Sequence, residues 1–131
     1  MSNKVIQPEG FPEAVGYANG IVSDGPKLFI AGQVGWDQSG SFPTGFVDQF
    51  AQALDNVKAV MDAAGAPSDG LLRMTVYVTD ISAYRSSLKQ IGKVWRERFG
   101  HHFPAMALVG VTGLVSPDAL VEIETTVSMT V

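Results

Sequence analysis

Residues 71–79 (LLRMTVYVT) alternate: Leu72, Met74, Val76 and Val78 are apolar, while Arg73, Thr75, Tyr77 and Thr79 carry polar groups. A period of two places these sets on opposite faces of a half-buried strand. Phe46 to Ala64 has another rhythm. Phe46, Phe50, Leu54, Val57, Met61 and Ala64 recur at steps of three and four, one apolar stripe on a helix. Thr44 is the expected N-cap and Gly65 the residue just past its end. A second helix is predicted from Ile81, Tyr84, Leu88, Ile91, Trp95 and Phe99, capped by Asp80 or Ser82 and ended by Gly100.

Shorter runs complete the pattern. Residues 3–8 read as an extended lead-in. Residues 15–22 and Leu28 to Val34 flank Ser23-Asp24-Gly25-Pro26, so a hairpin is predicted over 17–34. Residues 35–45 form a loop rich in Gly, Ser and Pro, and Ala105 to Val111 is a strand. In the last strand, 121–131, Val121, Ile123, Val127, Met129 and Val131 share one face. Glu122, Glu124, Thr126, Ser128 and Thr130 take the other.

The predicted order is β-β-α-β-α-β-β, an α+β sheet with two helices on one face. The other face carries Arg73, Thr75, Tyr77, Glu122, Glu124 and Thr126, too mixed a set for a dry core. It is therefore either solvated or packed against other copies, and an open sheet of this kind favours a symmetric oligomer.

Composition narrows the function classes. The 131 residues fit one domain, 1–131, and 46% hydrophobic against 17% charged residues fits a folded, soluble protein. Nine Lys and Arg against thirteen Asp and Glu give −4, which argues against broad binding to nucleic acid or anionic membranes. The absence of cysteine excludes disulfides, thiolate catalysis and Cys-based zinc sites. No secretory leader or membrane-length apolar run is visible, so a cytoplasmic placement is expected.

Several side chains have two readings. Glu122 and Glu124 are either a solvated or ion-paired strand face, with Arg73 as partner, or Glu122 is a functional carboxylate beside a structural Glu124. Tyr17 either donates a hydrogen bond to a ligand or packs with its hydroxyl satisfied. Met106 and Leu108 share a strand face opposite Ala107 and Val109, and either fill core or wall an apolar cleft. Trp36 anchors its loop or lines a cleft. His101 and His102 point in different directions with no third ligand spaced nearby, which favours a surface loop over a metal site. Arg96 and Arg98 read as solvated helix charges.

Across nearly its whole length the chain resembles the Rid proteins (YjgF/RidA type). The matching pieces, in order, are 16–20 (GYANG), 28–33 (LFIAGQ), 52–58 (QALDNVK), 75–80 (TVYVTD), 103–105 (FPA) and 121–124 (VEIE). The resemblance implies a chorismate-mutase-like fold, a homotrimer with a central barrel, and ligand clefts between subunits. It implies hydrolysis of enamines and imines to a keto acid and ammonia without metal or organic cofactor; some relatives act on aminomuconate-type substrates.

The family's site tyrosine falls on Tyr17 and its water-activating carboxylate on Glu122. Its small hydroxyl residue falls on Ala31, and the arginine that holds substrate carboxylate falls on Met106. Methionine cannot supply that charge-assisted pair, which places the chain in a branch lacking this arginine. Glu122, desolvated by Val121 and Ile123, is expected to have a raised pKa and to shuttle protons for a bound water, with Tyr17 assisting. Ala31, Trp36, Met106, Ala107 and Leu108 are the expected substrate contacts. The leading expectation is an enamine/imine deaminase acting on a small molecule. A non-catalytic binding or chaperone-like trimer is the alternative, and a ribonuclease is the third.

Overall fold

The computed structural model describes residues 3–130; Val131, expected at the end of the last strand, lies outside them. In chain order the elements are β1 (Lys4–Ile6), β2 (Gly20–Val22), β3 (Lys27–Val34), α1 (Phe46–Ala64), β4 (Leu71–Val78), α2 (Ile81–Ser86), α3 (Leu88–Phe99), β5 (Ala105–Gly110) and β6 (Val121–Ser128). The main sheet has the order β3-β6-β4-β5. β6 is antiparallel to both its neighbours, and β4 and β5 run parallel. Parallel neighbours require a crossover, and α2 with α3 supplies it.

The apolar stripe of α1 and the inward residues of β4 and β6 meet as expected. Leu54, Val57 and Met61 pack with Met74, Val76, Val78, Val121, Ile123 and Val127, all essentially inaccessible. Each such burial is worth roughly 1.5–3 kcal/mol. Ile91, Trp95 and Phe99 bring α3 onto the same core. The helices thus cover one face, and the outer face of the sheet lies open within the chain. No helix among the described residues is long and apolar enough to cross a membrane.

Four local expectations are corrected. The hairpin over 17–34 does not form: β2 pairs with β1 in a separate two-stranded sheet, and β3 pairs with β6. Ser23 to Pro26 do turn, with Gly25 at φ 82, but the turn passes the chain between sheets rather than back on itself. Thr44 does not cap α1. Gly45 occupies the N-cap at φ 94, a conformation suited to glycine, and no side chain accepts there.

The second helix is two. Ser87 leaves helical geometry at φ −115, its N–H reaches Tyr84 O, and Ser86 Oγ bonds back to Ala83 O at 3.2 Å. Such serine-to-backbone bonds compete with the helical ladder. Asp80 caps α2, accepting from Ser82 N and Ala83 N. Finally, β6 ends at Ser128, which is fully buried and so does not belong to the polar face.

Candidate functional site

β6 runs through the middle of the sheet, and Glu122, Glu124 and Thr126 point to the open face. Glu122 stands opposite Val34 on β3 and Tyr77 on β4, and Glu124 opposite Thr75. The pairing of β3 with β6 slips by one residue between Ile30 and Gln33, a bulge over Ala31 and Gly32 that sets Gly32 against Glu122. A Cβ built on Gly32 would lie 2.2 Å from Glu122 Oε2 and 2.7 Å from its Cδ. The carboxylate therefore rests on bare backbone. Val121 and Ile123 do not desolvate it as expected, because both are buried on the opposite face.

Glu124 has a protein partner: Tyr77 donates its hydroxyl to Glu124 Oε1 at 2.5 Å. That hydrogen bond is the main cause that raises the Tyr77 phenol above its ordinary 10.0; burial and the charges of Glu124 and Glu122 add to it. Arg73, the expected ion-pair partner, has no carboxylate within ion-pair distance among the described residues. It stands between two hollows on the open side. One, of about 300 Å³, includes Phe29, Thr75 and Glu124; the other, of about 230 Å³, includes Tyr17, Asn19, Met106 and Ala107.

Tyr17 is held at the far edge of the sheet, where Ala18 donates to Pro104 O at 2.9 Å and bridges Ala105. Three strand spacings, roughly 14 Å, separate its backbone from β6. One chain therefore brings Glu122 and Gly32 together, with Ala31 exposed in the same bulge, but not Tyr17. Met106 and Leu108 pair with Met74 and Val76 and turn toward the helices, where they pack against the core. Ala107 pairs with Thr75 and faces the open side.

Trp36 sits at the end of β3, its ring 6.2 Å from that of Phe42 and its carbonyl bonded by Asn56 Nδ2. In the same loop Asp37 accepts from the hydroxyl and N–H of Ser39 and the N–H of Ser41, contacts that lower its pKa with the Ser39 hydroxyl foremost. His102 Nε2 is 2.9 Å from Leu71 O, and its own carbonyl accepts from Trp95 Nε1. Arg98 is not a free helix charge; it makes a two-pronged contact with Asp55 at 2.7 and 3.2 Å, tying α3 to α1.

Three residues carry more than their sequence context suggested. Gly32 seats Glu122, and a glycine inside the run LFIAGQV is a signal of close approach. Gln49, 3% exposed, donates to Pro43 O and Asp118 O and accepts from Leu120 N. Asn56 holds Val34 O and Trp36 O. Gln49 lies three residues after Phe46, inside the apolar stripe, where a polar residue signals a buried hydrogen-bond hub.

Helices on one face of a mixed sheet, with an open, carboxylate-bearing face on the other, define an α+β protein. The YyfB protein of Yersinia pestis, a protein of unknown function of the conserved Rid family, superposes with a TM-score of 0.86 at 32% identity, covering 97% of this chain and 98% of that one. The Escherichia coli TdcF structure with bound serine gives 0.67 at 32% identity over 95% and 97%. In sequence, a RutC family protein of Pyrococcus horikoshii is 35% identical over 92% of this chain and 94% of its own. TdcF, whose provisional name is reactive intermediate deaminase, is 33% identical over 92% and 93%. The family model described as Endoribonuclease L-PSP matches residues 10–129, and the chain belongs to this family; some of the similar solved structures carry the Rid name.

Proposed function

We propose that the protein is a hydrolytic deaminase of enamine or imine metabolites, with Glu122 as its proton-transfer group. The observation that carries this is the seat of Glu122: a carboxylate on an open sheet face, supported by the backbone of Gly32. The name of TdcF supports the same chemistry. Hydrolysis of C=N adds water to carbon and a proton to nitrogen, then expels ammonia as the carbonyl forms. Glu122 takes the proton from water and returns it to nitrogen, the ordinary use of a positioned carboxylate.

The site is completed between copies. Tyr17 and Glu122 lie at different positions across one sheet, and the exposed Phe29 and Val109 give the open face an apolar margin. We therefore read the working unit as a homotrimer in which Tyr17 of one subunit approaches Glu122 of another. Ala31 contributes no hydroxyl and Met106 no charge, so the substrate differs from a small amino-acid-derived carboxylate held on β5. The family description names a ribonuclease, but Arg73 is offset on this face by Glu122 and Glu124, a poor surface for phosphates.

Ammonia release from freshly generated imines, including an aminomuconate-type panel, tests the reading. Glu122→Gln is expected to lose about a hundredfold or more in rate. Equal rates for wild type and variant would leave the binding-only trimer as the better account.

A further inference from the structure

A third hollow, of about 390 Å³, lies on the helix side of β5. Its size is that of a small-ligand pocket. Met106, Leu108 and Phe103 form one wall, and Leu88, Gly92 and Arg96 follow one another along α3 to form the other. These three helix residues are spaced by four and so share a face. Everything lining the slot is apolar or aromatic except for the Tyr84 hydroxyl and one guanidinium. Trp95 stacks on Phe103 at 5.8 Å and 15°, which fixes the wall.

Arg96 is placed for more than solvation. A Cβ on Gly92 would lie 3.1 Å from Arg96 Nη1, so the guanidinium lies across the gap left by the missing side chain. Glycine within a helix weakens it relative to alanine, and here the gap accommodates the cation at the rim. Among the described residues, the ion pairs are those of Arg98 with Asp55 and Glu97; Arg96 has no carboxylate within reach. An unpaired planar cation beside an apolar slot matches a ligand with one carboxylate and a hydrophobic body.

We propose that this slot binds a small apolar monocarboxylate, with its aromatic or branched body against Met106 and Leu108 and its charge on Arg96. Identifying this acid as the substrate class rests on the deaminase reading; its binding does not. The anchor then stands on α3, facing the Met106 wall of the slot.

Calorimetric titration with phenylacetate and its neutral isostere phenylacetamide tests the proposal. Wild type is expected to bind the acid roughly tenfold or more tightly than the amide, the preference a charge-assisted pair confers. Arg96→Gln should erase that preference by weakening the acid alone, and Gly92→Val should lose both ligands while the circular dichroism spectrum stays native. An equal preference in wild type and Arg96→Gln, or no saturable binding of either compound at millimolar concentration, overturns it. If Glu122→Gln leaves ammonia release intact while Arg96→Gln still erases the preference, the Glu122 reading falls and the pocket stands. The converse result sinks only the pocket.

Discussion

Two glycines on β3 and just beyond it look alike in sequence and differ in what stands over them. At Gly32 the nearest atoms belong to the flexible end of Glu122, and the backbone there is one that any residue can adopt. Gly32→Ala should therefore cost less than about 1 kcal/mol in stability while moving the carboxylate. Ammonia release should fall toward the Glu122→Gln rate with little change in the denaturation midpoint. A fully active Gly32→Ala protein would disprove the seat.

The Tyr77–Glu124 bond gives a spectroscopic prediction. Its folded-state pKa lies above 10.0, so the fold favours the neutral phenol. That stabilisation is complete below pH 10 and is lost as pH rises from there through the folded value. Of the three tyrosines, Tyr84 is also raised, by burial. In an alkaline absorbance titration, Glu124→Gln should bring one phenol equivalent back to lower pH and leave Tyr84 late; an unchanged curve counts against the bond. The alternation of β6 made Glu122 and Glu124 visible as a pair in the sequence. It carried no information on which would take a tyrosine and which a glycine, because that depends on cross-strand register.

At the scale of elements, Gly35 provides the contrast. A Cβ there would meet Gln49 O at 2.6 Å and Gln49 Cα at 2.8 Å, both helix backbone that cannot swing aside. Gly35→Ala should lose about 1–3 kcal/mol as β3 and α1 are forced apart, read as a lower urea midpoint. Retained stability would mean the two elements do not pack this closely. The long periodic elements α1, β4 and β6 were legible because a single apolar face determined each one. The failures came where local signals have several outcomes. Ser23-Asp24-Gly25-Pro26 marks a turn but does not say which strand receives the chain. Ser86-Ser87 sits inside an unbroken apolar stripe, so the periodicity ran straight across the break between α2 and α3.

For the whole molecule, the open face makes assembly and activity one question. Phe29 is 78% exposed and stands opposite Thr126 on that face. Phe29→Lys should break the proposed trimer into monomers in light-scattering chromatography and abolish turnover although Glu122 is untouched. Wild type eluting as a monomer would refute the shared site. The strand order β3-β6-β4-β5 has a consequence for biosynthesis as well. The strand that bridges both halves of the sheet is the last of these elements to leave the ribosome. Until it arrives, β3 and β4 have no partner between them, and the apolar face of α1 lacks half of its floor. Such non-local pairing delays folding. The nascent chain must therefore be kept from aggregating until β6 has emerged, and only then does the core close.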